Sequence, residues 1–292
     1  MKTGSTPLLL VGRYHLEHVL GRGGMGVVYR ARDLLQEQFG EPCSGVALKL
    51  LDESLSACPD AHVLLHSEFA LSRRLRHEHV VRMYSFEVDT CSQIAFFTME
   101  LLHGMTLDRL LLECPDGLPW SELQPIALQL LDALAYAHQH NVLHGDIKPA
   151  NVIVGEEGVR LFDFGLGQSI VQTTADLPSV SRSRLNAWTC AYAAPELLAG
   201  GALTPAADLY GVACVLYELA QGRRRDDYPP GHTLSRPRQL PRRCWPALHT
   251  ALAPDPQRRT LTVAELREAI GCKRPRWYGW PPRQPLKSCS WQ

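Results

Sequence analysis

The rhythm of apolar positions changes near residue 100. Before it, short β-rich runs alternate with turn signals. Val27-Val28-Tyr29 and Val46-Ala47-Leu48-Lys49-Leu50 read as strands within residues 14–51. Gln36 to Gly45, polar and carrying Gly40 and Pro42, reads as the loop between them. Asp60 to about Arg76 predicts a helix with Val63, Leu64, Ala70, Leu71 and Leu75 as packing positions. Val80–Glu87 and Gln93–Glu100 return to strand character. The first hundred residues therefore predict a sheet with one helix.

Helical spacing dominates afterwards. Ser121-Glu122-Leu123-Gln124 reads as a capping box, and Leu123, Ile126, Ala127, Leu130, Leu131, Leu134 and Ala137 follow at helical intervals. Leu209, Val212, Ala213, Leu216 and Leu219 mark a second helix, and Thr262-Val263-Ala264-Glu265 opens a third. Residues 223–246, rich in Arg and Pro, read mostly as loop. Residues 272–292 lack either period and predict a poorly ordered basic tail containing Pro and Trp.

Composition narrows the function classes. The chain has 292 residues, 45% hydrophobic and 21% charged, which is globular composition and room for one large domain or two lobes. Thirty basic residues balance thirty acidic ones, which argues against a dedicated nucleic-acid binder. No apolar run approaches the ~18 residues of a membrane span. Leu8-Leu9-Leu10-Val11 is too short for a secretory core, so a cytoplasmic location is expected. The nine cysteines are scattered without a CxxC pair, which argues against a zinc ribbon or a thioredoxin-type dithiol and implies reduced, mostly packed thiols.

Three segments carry chemistry. Gly21-Arg22-Gly23-Gly24-Met25-Gly26-Val27-Val28 has the form G-x-G-x-x-G-x-V, whose backbone N–H groups suit phosphate. A dinucleotide-binding turn or a plain hairpin would use the same letters. A strand rather than a helix follows here, which favours a hairpin lid. Lys49 ends an apolar strand run and needs a partner; Glu68 is one candidate, with Glu53 and Glu78 as alternatives. His144-Gly145-Asp146-Ile147-Lys148-Pro149-Ala150-Asn151 is followed by Asp163-Phe164-Gly165. That spacing offers a base, a cation for transferred charge and two hard oxygen ligands of the kind Mg²⁺ takes.

With these segments in this order, residues 14–271 resemble the protein kinase family, specifically Ser/Thr kinases and their bacterial eukaryotic-like members. Ala194-Pro195-Glu196 resembles the end of an activation segment, and Trp188-Thr189-Cys190-Ala191-Tyr192 the substrate-facing loop before it. Asp208-Leu209-Tyr210-Gly211-Val212 resembles the start of the buried large-lobe helix. Asp255-Pro256-Gln257-Arg258-Arg259 resembles the late motif whose arginine pairs with Glu196.

The resemblance implies an α+β, bilobal fold: a small antiparallel sheet lobe with one helix and hinge (14–102), and a larger helical lobe (103–271), flanked by 1–13 and 272–292. It implies that Leu20, Gly21, Arg22, Gly23, Gly24, Met25 and Gly26 cover the phosphates of ATP. Val28 and Ala47 would lie above adenine and Ile153 below it. Met99 would be the gatekeeper, and the backbone of Glu100 and Leu102 would bond adenine at the hinge. Lys49, paired with Glu68, would hold the α- and β-phosphates. Asp146 would take the hydroxyl proton, Lys148 would face the γ-phosphoryl group, Asn151 and Asp163 would hold Mg²⁺ (or Mn²⁺), and Thr189 would support Asp146 and Lys148. The implied partners are proteins with Ser/Thr acceptors and a cognate phosphatase.

Three positions depart from the family pattern. Gly145 replaces the Arg that reads a phosphorylated activation segment, so Thr173, Thr174, Ser179, Ser181 and Ser183 are not expected to be obligatory phosphosites. Trp188 and Cys190 replace a Gly and a Pro beside Thr189, and residues 221–246 match the family poorly. Two other readings share the fold. A small-molecule phosphotransferase of the aminoglycoside-kinase type would lack a lysine like Lys148 and the Ala-Pro-Glu. A pseudokinase scaffold would lack Lys49, Asp146 or Asp163.

Overall fold

The computed structural model describes residues 9–23, 26–51, 59–164, 168–169, 191–224 and 234–272. Of the expectations above, those on Gly24, Met25, Glu53, Gly165, the five segment hydroxyls, Trp188, Thr189, Cys190 and residues 273–292 lie outside the described residues.

The small lobe is a six-stranded antiparallel sheet. Its strands are β1 (Leu9–Leu10), β2 (Tyr14–Arg22), β3 (Gly26–Asp33), β4 (Gly45–Leu51), β5 (Met83–Asp89) and β6 (Ile94–Glu100), in the order β1-β2-β3-β4-β6-β5. The sheet takes in Leu9–Leu10, ahead of residue 14, with Leu10 fully buried. Polar contacts draw its two edges together. Asp89 at the end of β5 accepts from the Val11 N–H at 2.6 Å, and the Tyr14 hydroxyl donates to Glu87 at 3.0 Å.

Strand alternation sorts β4 into two faces. Val46, Leu48 and Leu50 pack inside the curled sheet with Leu10, Leu16, Val27 and Phe96. Ala47 and Leu51 pack on the opposite side, with Leu65 and Phe69 of helix α2 (Pro59–Ser72). Lys49 has the parity of Ala47 and Leu51, so it too points at α2.

Three local expectations need correction. The stretch Gln36–Gly45 is not all loop: helix α1 (Leu34–Gln38) precedes β4, capped by the Asp33 carboxylate, which accepts from the Leu35 and Gln36 N–H groups. Of the packing positions assigned to this segment, Leu75, past the end of α2, is buried and Leu71 packs against the same core, but the other three are shifted. Ala70 is exposed and Val63 and Leu64 are half-buried, whereas the buried face reads Ala61, Leu65, Glu68, Phe69, Ser72. A glutamate on the buried face blurs the apolar period that the assignment relied on. Helix α4 (Trp120–Gln139) starts at Trp120 after Pro119, so Ser121 lies inside the first turn and makes no cap bond.

The large lobe packs around α4 and α6 (Pro205–Gln221), with α3 (Leu107–Glu113), α5 (Pro195–Leu198), α7 (Trp245–Ala251) and α8 (Val263–Gly271) outside them. Residues 207–220 of α6 are all buried. A helix buried on every side, with its carboxylates Asp208 and Glu218 hydrogen-bonded, lies at the centre of a lobe. Thr262 and Glu265 cap α8 reciprocally: Glu265 N–H donates to the threonine Oγ1 at 3.2 Å, and Thr262 N–H donates to the glutamate at 2.7 Å. Small strands frame the loops. β8 (Val142–Leu143) pairs with β11 (Gln168–Ser169), and β9 (Val152–Gly155) lies between β7 (Met105–Thr106) and β10 (Gly158–Leu161). The lobes meet where the Val81 N–H donates to the Leu161 carbonyl and the Leu161 N–H to the His79 carbonyl, at 3.0 and 2.9 Å.

Candidate active site

Two groups of charged side chains meet between the lobes. In the first, the Lys49 ammonium donates to both Glu68 oxygens, at 2.7 and 2.8 Å, and to Asp163 Oδ1 at 3.0 Å. Of the three candidate partners for Lys49, the fold brings Glu68 to it from the buried face of α2. Glu78 is exposed and points at His79 instead.

One cation thus serves two carboxylates, Glu68 buried and Asp163 half-buried. Burial favours the neutral acid and lifts Glu68 to about 7, with Lys49 opposing and Asp163 adding to the shift. Burial also acts against the Asp163 anion, but Lys49 outweighs it and holds Asp163 at about 2. Burial disfavours the Lys49 ammonium, yet the two carboxylates overcome it and raise its pKa. Asp163 is therefore an ionised oxygen donor at neutral pH. It occupies the left-handed region at φ 66°, which Asp tolerates better than most residues.

The second group lies in the loop between β8 and β9. Asp146 Oδ2 accepts from the Lys148 ammonium at 2.5 Å. The Asn151 amide nitrogen donates to the Asp146 carbonyl at 2.9 Å and to its Oδ2 at 3.3 Å. With Nδ2 committed, Oδ1 is the Asn151 atom left to meet a cation. The Asn151 carbonyl accepts from the Phe162 N–H at 3.1 Å, which sets this loop beside the strand leading to Asp163. An amide oxygen and an ionised carboxylate are hard donors, and two protein ligands suit a divalent cation that also binds phosphate.

Buried residues outside the predicted set hold this loop in shape. Asp208, in the first turn of α6, accepts from the His144 and Gly145 N–H groups at 2.8 and 2.9 Å. His138 Nε2 lies 2.9 Å from the same carboxylate. His144 packs on Phe164 with centroids 4.5 Å apart, and its Nδ1 accepts from the Asp146 N–H at 3.2 Å. Gly145 has φ 81°, a conformation a glycine adopts without strain. The available signal for these residues was an Asp at a helix start and histidines amid apolar runs.

The residues expected to contact the nucleotide lie in the small-lobe sheet, the segment after β6, and β9. Val28, Ala47, Met99, Leu101 and Leu102 border the apolar cluster between the sheet and α2. Ala47 pairs in register with Met99, and Val28 with Lys49. Ile153 sits in β9 opposite Thr106, and the Glu100 N–H donates to the Arg82 carbonyl. Leu20, Gly21 and Arg22 end β2. The glycines differ in what requires them. A Cβ on Gly26 would come within 2.4 Å of the Leu50 carbonyl oxygen, so close strand approach excludes a side chain there. A Cβ on Gly21 would meet nothing within 4 Å.

This geometry agrees with the relatives of the chain. The protein kinase domain model matches residues 14–229, about three quarters of the sequence. The chain belongs to the protein kinase family, whose members use ATP and divalent metal ions. It is 36% identical over 225 residues to the serine/threonine-protein kinase PkaA of Streptomyces coelicolor, covering 72% of this chain and 39% of that protein. It is 29% identical over 282 residues to the serine/threonine-protein kinase PknB of Mycobacterium leprae, covering 90% of this chain and 43% of that protein. The chain thus spans about two fifths of the length of these relatives. The crystal structure of the PknI kinase domain of Mycobacterium tuberculosis matches with a TM-score of 0.66 at 26% identity, over 92% of this chain and 98% of that one. No helix among the described residues is long and apolar enough to cross a membrane.

Proposed function

We propose that this chain is an ATP-dependent protein serine/threonine kinase in which Asp146 takes the proton of a Ser or Thr hydroxyl. The observation that supports it best is the meeting of Lys49–Glu68–Asp163 with Asp146–Lys148–Asn151 at one lobe junction. Two charged groups set side by side in this way position charge, and phosphoryl transfer asks for positioning and charge stabilisation above all.

Leu20 to Gly26 would cover the phosphates, with Val28 and Ala47 above the adenine, Ile153 below, Met99 behind it, and the Glu100 and Leu102 backbone along its edge. Lys49, oriented by Glu68, would bind the α- and β-phosphates. Bound Mg²⁺, or Mn²⁺ in its place, would offset phosphate charge, and Asn151 and Asp163 would hold it. Lys148 would meet the charge on the transferred group, and Thr189 would support it beside Asp146. The domain would run from 14 to 271, in the cytoplasm, with protein substrates and a phosphatase to reverse its action.

Transfer of labelled γ-phosphate from ATP to a basic carrier protein, run beside aminoglycoside acceptors, tests the reading. Label on Ser and Thr of the protein supports it. Label on the aminoglycoside alone, or none with nucleotide still bound, would replace it with the small-molecule kinase or the scaffold reading.

A further inference from the structure

Two cysteines on the far side of the large lobe lie in adjoining turns. Cys244 is the N-cap residue of α7 and is fully buried. Its thiol points at the last turn of α8, where Sγ lies 3.6 Å from the Ala269 carbonyl oxygen. Cys272 caps the C-terminus of that helix, its N–H donating to the Glu268 carbonyl at 2.9 Å. The Ala269 carbonyl faces the end of α8, and the Cys272 thiol lies near enough to act electrostatically on the Cys244 thiol. A second contact fixes the register: Arg243 Nε donates to the Cys272 carbonyl at 2.9 Å.

We propose that Cys244 and Cys272 are a redox-responsive pair that a hydroperoxide converts to a disulfide, tying the end of α8 to the start of α7. The two differ in access, and this sets the order of events. Cys272 is exposed and Cys244 buried, so the peroxide meets Cys272 first. The Cys272 thiolate attacks the O–O bond, which breaks to give a sulfenic acid and to release an alcohol, or water from hydrogen peroxide. The Cys244 sulfur then attacks the sulfenic sulfur, forming the S–S bond and expelling hydroxide, which takes the Cys244 proton and leaves as water. In sum, two thiols are oxidised and one peroxide is reduced.

Burial pushes the Cys244 thiol up from its ordinary value, with Arg243 opposing and Cys272 adding to the rise. A thiol held in its protonated form is a poor first nucleophile. Its burial keeps it from the peroxide and leaves it within reach of a sulfenic acid on Cys272, to which it adds as it gives up its proton. The bridge would close residues 244–272 into one loop that contains Arg259, the residue that grips Glu196. Oxidation would thereby stiffen the base of the large lobe without touching Lys49, Asp146 or Asp163.

The full chain, reduced and then titrated with hydrogen peroxide, tests this by peptide mass mapping. The expected product is a Cys244–Cys272 peptide pair lighter by two hydrogens, formed before the exposed Cys43 and Cys91 are oxidised. Its formation should raise Tm by roughly 5–10 °C, as expected for closing a loop of this size. Cys272→Ser should fold and lose both the pair and the shift. Cys244→Ser should leave a sulfenic acid on Cys272 that a diketone reagent traps. Over-oxidation of Cys272 while Cys244 stays reduced, or equal joining of Cys272 to any other cysteine, would overturn the proposal.

Discussion

Glu196 and Arg259, 63 residues apart, form a forked ion pair at 2.6 and 2.9 Å. The Arg259 side chain is wholly buried, and its remaining donors reach the Ala253, Ala206 and Pro254 carbonyls. The guanidinium also stacks on Tyr210, 4.7 Å from the ring centroid. One planar cation thus joins α5, α6 and the loop before α8, a task that suits the fixed fork of arginine.

Arg259→Ala should therefore cost about 3–5 kcal/mol, because it strands Glu196 and three carbonyls. Arg258, next in sequence, is exposed, and Arg258→Ala should change little. Thermal melts of the two variants, with phosphotransfer assayed alongside, provide the comparison. Equal small shifts would show that the fork carries no weight.

Lys49→Met removes the cation between Glu68 and Asp163 and should nearly abolish phosphotransfer while the fold survives. Retention of more than a tenth of the wild-type rate, a loss below about 1.4 kcal/mol in the barrier, would refute the role given to Lys49. Circular dichroism should be unchanged.

Asp163→Asn should weaken divalent-metal binding, since the ionised ligand becomes a neutral amide. Asp146→Asn should lower turnover and leave nucleotide affinity nearly intact. Titration with ATP and Mg²⁺, monitored by calorimetry, separates them. An equal loss of ATP affinity in both would contradict the division of labour.

The two carboxylates that flank Lys49 give stability opposite pH slopes. Glu68 sits at about 7 against an ordinary 4.5, so the folded state keeps a proton that the unfolded chain has lost between these values. Its contribution to stability falls as pH rises from 4.5 through 7. Asp163, at about 2 against 3.8, contributes stability that is present above 3.8 and lost as pH falls towards 2. Glu68→Gln should flatten the first slope only. Tm measured against pH for both proteins would reveal an unchanged slope if Glu68 were not its source.

Replacing Thr173, Thr174, Ser179, Ser181 and Ser183 together by Ala should leave phosphotransfer within about tenfold of wild type, since Gly145 offers no cation to a phosphate. A hundredfold loss restored by acidic replacements would mean another cation reads the segment.

How much of this was legible in the chain depended on the range of the physics involved. The β-rich runs around Val28 and Ala47 and the helical stripe from Leu123 to Ala137 report elements packed on apolar cores, and each could be read locally. The Thr262–Glu265 cap spans one turn and was equally visible. The α2 helix was misread because its buried face carries Glu68, whose cost of burial is offset by Lys49 on a strand 19 residues earlier. The charged spacing from Asp146 to Asp163 was written in order along the chain. That Asp208 and His138 support it, 63 and 7 residues from Gly145, could not be read there. Sequence by itself determined which residues carry charge and in what order, since their types and spacing are local facts. Only the tertiary structure decided which carboxylate meets Lys49, which glycine is sterically required and which cysteines the ends of α7 and α8 bring near each other, because each depends on two distant elements approaching within a few ångströms.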